Sequence, residues 1–202
     1  MTGLRWFGGK WALSKAIVGM MPPHDIYAEP FAGGLSVLCS KPPVSGHGKE
    51  TVNDANHRLV NCFRVMRERP DELVRSLRLT PWGREEFRRC CDPSADPVED
   101  ARRLVVVCYM GRSKGGTSNP GGFKSRATRG GEPDMWAIVE RVAERLRKVQ
   151  IECIDGLDFL DRYATSSALV YADPPYLSPN RGETEYQYEP MQKRKWAQRA
   201  RK

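Results

Sequence analysis

The sequence holds few histidines and no Cys-x-x-Cys pair. Its three histidines (His24, His47 and His57) lack the spacing of a zinc site, and its six cysteines supply no second half for one. No metal is therefore expected. Cys90 and Cys91 are adjacent, a poor geometry for a disulfide, so the thiols read as reduced and the location as cytoplasmic. No apolar run reaches membrane-spanning length, and no secretory signal pattern opens the chain, so no membrane partner is expected. Internal repeats are absent. The glycine turn at 29–34 lacks the third glycine of the dinucleotide fingerprint, which disfavours a pyrophosphate cofactor and with it a nicotinamide oxidoreductase.

What is present is a chain of 202 residues, enough for one domain or one domain with an insertion. The formal charge of +8 is unevenly placed. Lys193, Arg194, Lys195, Arg199, Arg201 and Lys202 crowd the last ten positions, and taking those six from +8 leaves +2 for the rest. Such a tail binds polyanions weakly and without sequence preference, or is simply a solvated helix end.

Apolar runs alternate with helical patterns. A short amphipathic helix spans 11–21 and stops at Pro22 and Pro23. A strand at 26–28 runs into the turn, and a helix at 36–40 ends before Pro42 and Pro43. A second strand closes at 51–54, followed by a helix with Leu59, Val60, Phe63 and Met66 on one face. The stretch 70–107 reads as charged helix. The stretch 111–133 is a long basic glycine-rich loop with Phe123 at its middle, and loops of this length are usually functional or disordered. A helix over 133–149 and strands at 150–154 and 168–172 complete the pattern. Strands alternating with helices imply a mainly parallel α/β sheet, interrupted by 70–135.

Four places in this pattern can carry chemistry. Asp173, Pro174, Pro175 and Tyr176 follow the last apolar run. The prolines stiffen the loop, so the Asp173 carboxylate and the Pro174 carbonyl can aim at one point beside the Tyr176 ring. That geometry suits a planar group bearing an exocyclic amine; the plainer reading is a proline-rich turn. Gly33 and Gly34 allow close backbone approach to a ligand, or form an ordinary tight turn. Asp54 ends the second strand, where it suits the ribose hydroxyls of a nucleoside or caps the next helix. Asp155 and Asp158 follow the third strand, facing the adenine of such a nucleoside or capping a helix. Lys10, after two glycines, is either surface or the partner of a carboxylate such as Glu29 or a cofactor's amino-acid end.

Taken in order, Arg5-Trp6-Phe7-Gly8-Gly9-Lys10, the segment Glu29 to Gly34, Asn53-Asp54, Asp158-Phe159 and Asp173-Pro174-Pro175-Tyr176 resemble the Dam-like DNA adenine-N6 methyltransferases, in the alpha order of motifs. The resemblance covers about 1–191. It implies a Rossmann-like S-adenosylmethionine-dependent α/β sheet with an inserted, mainly helical target-recognition subdomain. The implied units are 1–69 and 136–192 for the cofactor and catalytic parts, 70–135 for target recognition, and 193–202 as the basic tail. It implies a cofactor set of Trp6, Lys10, Glu29, Phe31, Gly33, Gly34, Asp54, Asp158 and Asp173. Asp173, Pro174, Pro175 and Tyr176 are implied to hold a flipped adenine. Double-stranded DNA is the implied partner, touched by Arg112, Lys114, Phe123, Lys124, Arg126 and Arg129.

One departure from that family stands out. No strand signal follows Tyr188, where the family's sheet continues, so the last strands are expected to be missing. A truncated phage or prophage copy, with an open sheet edge that a partner chain or a second copy covers, is the matching expectation. The alternatives are an inactive fragment that keeps DNA binding, an N4-cytosine methyltransferase and a protein-glutamine methyltransferase. Asp173, where Ser or Asn would stand, argues against the last two.

Overall fold

A computed structural model describes residues 3–112, 121–125 and 135–174. Lys114, Arg126, Arg129, Pro175, Tyr176 and the basic tail lie outside the described residues, as does the region where further strands were expected to be missing.

Four parallel strands form one sheet in the order β3-β2-β1-β4: β1 is Ile26–Glu29, β2 Lys49–Asn53, β3 Val149–Glu152 and β4 Ala168–Val170. Tyr27 stands beside Glu50 on one side and Leu169 on the other. β1 and β2 are central and almost wholly buried, as parallel strands covered on both faces must be. β4 is half-buried throughout, although its sequence reads as a core strand. The reason is position: among the described residues it pairs only with β1, through the ladder and one further bond from Tyr171 N–H to the Ala28 carbonyl at 2.9 Å.

The helices are α1 (Ser14–Gly19), α2 (Ser36–Ser40), α3 (His57–Glu68), α4 (Pro70–Arg78), α5 (Arg84–Cys91), α6 (Pro97–Met110), α7 (Met135–Leu146) and α8 (Gly156–Tyr163). α3 turns Leu59, Cys62, Phe63 and Met66 inward, and α7 turns Ile138, Val139, Val142 and Leu146 inward. The interrupting segment is helical as expected, but it is three helices with proper ends. Pro70 and Pro97 occupy first-turn positions, where a missing N–H costs nothing. The Asp96 carboxylate caps α6 by accepting from Glu99 N–H at 2.7 Å. α6 is buried along nearly its whole length, packs against α3, α4 and α5, and shares one apolar core with the sheet layer.

One face of the sheet carries charge in its interior. Glu50 on β2 is 5% exposed, accepts from Arg145 Nη1 and Nη2 at 2.6 and 2.7 Å, and accepts from Lys41 Nζ at 2.8 Å. Burial works against the Glu50 charge, but the hydrogen bonds from Arg145 and Lys41 outweigh it and hold the carboxyl below its ordinary range.

Candidate functional site

The C-terminal ends of the parallel strands gather the acidic residues singled out in the sequence, as strand ends in open α/β sheets do. At the end of β1 the chain turns sharply through Pro30 to Leu35. Gly33 has φ +47°, and a Cβ there would lie 3.3 Å from Trp6 Cδ1, so the Trp6 indole packs directly on this backbone. A Cβ on Gly34 would meet the Leu4 carbonyl at 2.4 Å, because the N-terminal segment crosses the turn and donates Leu4 N–H to the Gly34 carbonyl at 2.8 Å. These glycines are therefore more than an ordinary turn: they admit a second segment of chain. Phe31 swings the other way, and its ring covers Gly156 at the start of α8, where an added Cβ would lie 2.4 Å from Phe31 Cε1.

The N-terminal segment delivers Lys10. Its ammonium donates to the Gly8 carbonyl at 3.0 Å and forms an ion pair with Asp173 Oδ2. Glu29, offered in the sequence as a partner, is instead held by its own strand: the Tyr27 hydroxyl donates to Glu29 Oε2 at 2.8 Å, and Glu29 is 2% exposed. Burial pushes the Glu29 carboxyl up to about 8, reinforced by the nearby Asp173 charge and opposed by the Tyr27 bond and Arg145. Asp173 itself leaves β4 in a half-buried loop beside Pro174.

Asp54 follows β2. Its Oδ2 accepts from Gly33 N–H at 3.0 Å and its Oδ1 from Asn56 N–H at 2.9 Å. Burial raises its carboxyl above the ordinary range, and the two backbone donors partly offset that. The helix-cap alternative for Asp54 falls away, because Asn56 caps α3 by accepting from Leu59 N–H at 3.1 Å. The same division occurs at α8: Asp155 caps it, accepting from Leu157 N–H at 2.9 Å, and leaves Asp158 exposed in the first turn.

Sequence reasoning overlooked two side chains here. Tyr27 reads as an ordinary strand aromatic, and only its two-residue spacing from Glu29, which puts both on one face of β1, hints at the bond. Asn53 stands out in the sequence only as part of a motif, yet its amide spans three strand ends: Nδ2 donates to the carbonyls of Pro30 and Ile154, each at 3.0 Å, and Oδ1 accepts from Ile154 N–H at 2.9 Å.

The basic loop starts from α6 at some remove in sequence. Gly111 and Phe123 form an isolated antiparallel bridge, with Arg112 N–H on the Gly122 carbonyl at 3.0 Å and Lys124 N–H on the Met110 carbonyl at 2.7 Å. Phe123 packs toward Trp82 and Phe87 under the Arg84 guanidinium, with ring centroids 6.5 and 6.0 Å away. It acts as an anchor for the loop, while Arg112 is exposed and Lys124 half-buried. Arg5 ties the N-terminal segment to the same helix end, lying over the Tyr109 ring and donating to the Tyr109 carbonyl at 3.5 Å.

A parallel sheet with a glycine turn after its first strand, an acid closing β1 and acids beyond the ends of β2 and β4 is the arrangement of the Rossmann-like methyltransferases. The sequence profile of the D12 class N6 adenine-specific DNA methyltransferases matches residues 6–200, and the chain belongs to that family. It is 29% identical over 209 residues to a Type II methyltransferase of Lactococcus lactis subsp. cremoris, covering 92% of this chain and 69% of that protein. It is 26% identical over 204 residues to a Type II methyltransferase of Methanocaldococcus jannaschii, covering 88% and 70%. It is 29% identical over 194 residues to a DNA adenine methylase of Salmonella typhi, covering 86% and 64%. The chain thus spans 64–70% of the length of these relatives. Members of this family transfer a methyl group and need a methyl donor. Among the described residues no group of acids, histidines and cysteines is placed to hold a metal, and no helix is long and apolar enough to cross a membrane. All six cysteines are free thiols.

Proposed function

We propose that the chain transfers a methyl group from S-adenosylmethionine to N6 of an adenine flipped out of double-stranded DNA, in the reducing cytoplasm that its free thiols suit. The observation that carries this reading is the meeting of Lys10 and Asp173 beside the glycine turn, which joins a cation for a cofactor carboxylate to a carboxylate for a target amine.

The residues present fit S-adenosylmethionine. The Asp54 carboxylate is held by one backbone donor on each oxygen, from Gly33 and Asn56, and each oxygen keeps acceptor capacity for a ligand hydroxyl. Trp6, Gly33 and Gly34 line the methionine side, Phe31 reaches from that turn to Gly156, and the buried Glu29 carboxyl is mostly neutral at neutral pH. Lys10 holds the amino-acid carboxylate, Asp54 takes the ribose hydroxyls, and Asp158 stands at the adenine side. When bound, the cofactor supplies an electrophilic methyl group on a positively charged sulfur.

The target base must leave the helical stack, because N6 is unreachable inside it. Asp173 then accepts a hydrogen bond from the N6 amine and the Pro174 carbonyl accepts the other. Tyr176, outside the described residues, supplies the stacking face and Pro175 the stiffness of the loop. The amine is a poor nucleophile whose lone pair is delocalised into the ring. Two acceptors favour its pyramidal form, and the Asp173 charge stabilises the positive charge that develops on nitrogen. Orientation supplies much of the remaining acceleration. Arg112, Lys114, Lys124, Arg126 and Arg129 contact the phosphates, and the segment 70–135 carries target recognition. The test is transfer of labelled methyl to an adenine-containing duplex, with the product base identified. N6-methyladenine is the expected product; N4-methylcytosine or an unlabelled duplex would overturn the reading.

A further inference from the structure

Asn53 is 1% exposed, and every hydrogen-bonding atom of its side chain is used. The bonds to the N–H and the carbonyl of Ile154 extend the β2–β3 ladder past its last backbone pair, Asn53 with Glu152. The same residue also grips the opposite loop. Its Nδ2 reaches the Pro30 carbonyl, and its own carbonyl accepts from Ala32 N–H at 2.8 Å. Asp54 adds the bond to Gly33 N–H. One side chain therefore ties the turn after β1 to the loop after β3, across β2. The Phe31 ring, resting against Gly156, is the second contact between those two loops. No other side-chain type of this size can do this. Asp accepts but does not donate, Leu does neither, and Gln is a methylene too long for a closed pocket.

We propose that Asn53 is a positioning residue that fixes the separation between the methionine side and the adenine side of the cofactor pocket. This rests on the functional reading above, in which the turn 30–34 and the loop 154–158 hold opposite ends of one cofactor. A cofactor that spans both ends binds well only when their spacing is set in advance. A group that touches one end is indifferent to it.

The test uses the full chain and its Asn53→Asp and Asn53→Ala variants, with S-adenosylhomocysteine and adenosine as probes. Asn53→Asp keeps shape and acceptor and loses both donors, so it is the variant that carries the test if Asn53→Ala does not fold. Affinity for S-adenosylhomocysteine should fall by about tenfold or more, and affinity for adenosine by no more than about twofold. The KM for S-adenosylmethionine should rise with kcat at saturation held within about threefold. Amide hydrogen exchange should quicken in 30–34 and 154–158 together. A folded Asn53→Asp variant with unchanged affinity, or exchange that responds in one loop only, would overturn the proposal. An unaltered chain that binds no S-adenosylhomocysteine would overturn the functional reading instead, and the hydrogen exchange of Asn53→Asp would still decide whether the link exists.

Discussion

The Lys10 ammonium rests on the Asp173 carboxylate, although the two residues lie 163 positions apart in the chain. The contact exists because the N-terminal segment crosses the glycine turn after β1 and ends beside the loop that leaves β4. Each side chain is about one-fifth exposed, so neither is an ordinary surface charge. The cation proposed to hold a cofactor carboxylate and the anion proposed to face a target amine here neutralise one another.

Lys10→Met should therefore weaken S-adenosylmethionine binding by about 1.5–3 kcal/mol, the scale of a hydrogen bond to a charged group. Calorimetry reads this directly. Unchanged affinity would leave Lys10 as a partner of Asp173 only.

Asp54 and Asn56 should separate cofactor binding from helix capping. Asn56→Ala should cost about 1 kcal/mol of stability, the usual loss for an N-cap, with cofactor affinity preserved. Asp54→Ala should weaken cofactor binding by about 1.5–3 kcal/mol. Urea unfolding and calorimetry on both variants check the pair, and a cofactor effect confined to Asn56→Ala would reverse the assignment.

Glu29 makes a pH signature. Its folded value of about 8 lies above the ordinary 4.5, so the native state keeps a proton that the unfolded chain releases as pH rises. Its contribution to stability is full below about 4.5 and is lost as pH climbs toward 8, at up to about 1.4 kcal/mol per pH unit. Glu29→Gln keeps an acceptor for the Tyr27 hydroxyl and removes the titration. Its unfolding free energy should be flatter across this window, with the largest gain over the unaltered chain at the alkaline end. Parallel pH profiles would contradict a neutral Glu29.

Glu50 behaves oppositely. Removing it with Glu50→Ala leaves Lys41 and Arg145 as buried, unpaired cations and should cost about 3–5 kcal/mol. Chemical denaturation checks the figure, and a loss below about 1 kcal/mol would mean water reaches the pair.

Phe123 and Arg112 should differ in how they weaken DNA binding. Arg112→Ala should reduce the slope of affinity against salt by about one unit, as loss of a phosphate contact does. Phe123→Ala loosens the anchor on Trp82 and Phe87, so it should lower affinity with the salt slope nearly intact. Titrations at several salt concentrations distinguish them; unchanged affinity in Phe123→Ala would place Phe123 outside the loop's support.

Much of this was legible in the sequence because period and punctuation carry it. The bounds of α2 follow from Ser36 and the prolines after Lys41, and the strand-end acids Glu29, Asp54 and Asp173 stand out against their apolar strands. The half-burial of β4 was not legible, since an apolar triplet reads alike at the centre and the edge of a sheet. Nor was the choice between Asp54 and Asn56, or between Asp155 and Asp158, as helix cap. Each pair lies within three positions, and boundaries of that size are set by dihedral angles. The clamp of Asn53 joins residues about a hundred positions apart and leaves no local pattern.

The central claim is that Asp173 acts on the target amine and Lys10 on the cofactor. The most direct measurement is labelled-methyl transfer to duplex DNA by the unaltered chain and by Asp173→Ala, with S-adenosylmethionine affinity measured on both. The account predicts N6-methyladenine from the unaltered chain, no detectable turnover from Asp173→Ala, and cofactor affinity in that variant at or above the original because Lys10 is released. Comparable turnover in Asp173→Ala, or loss of cofactor binding as its main effect, would contradict it.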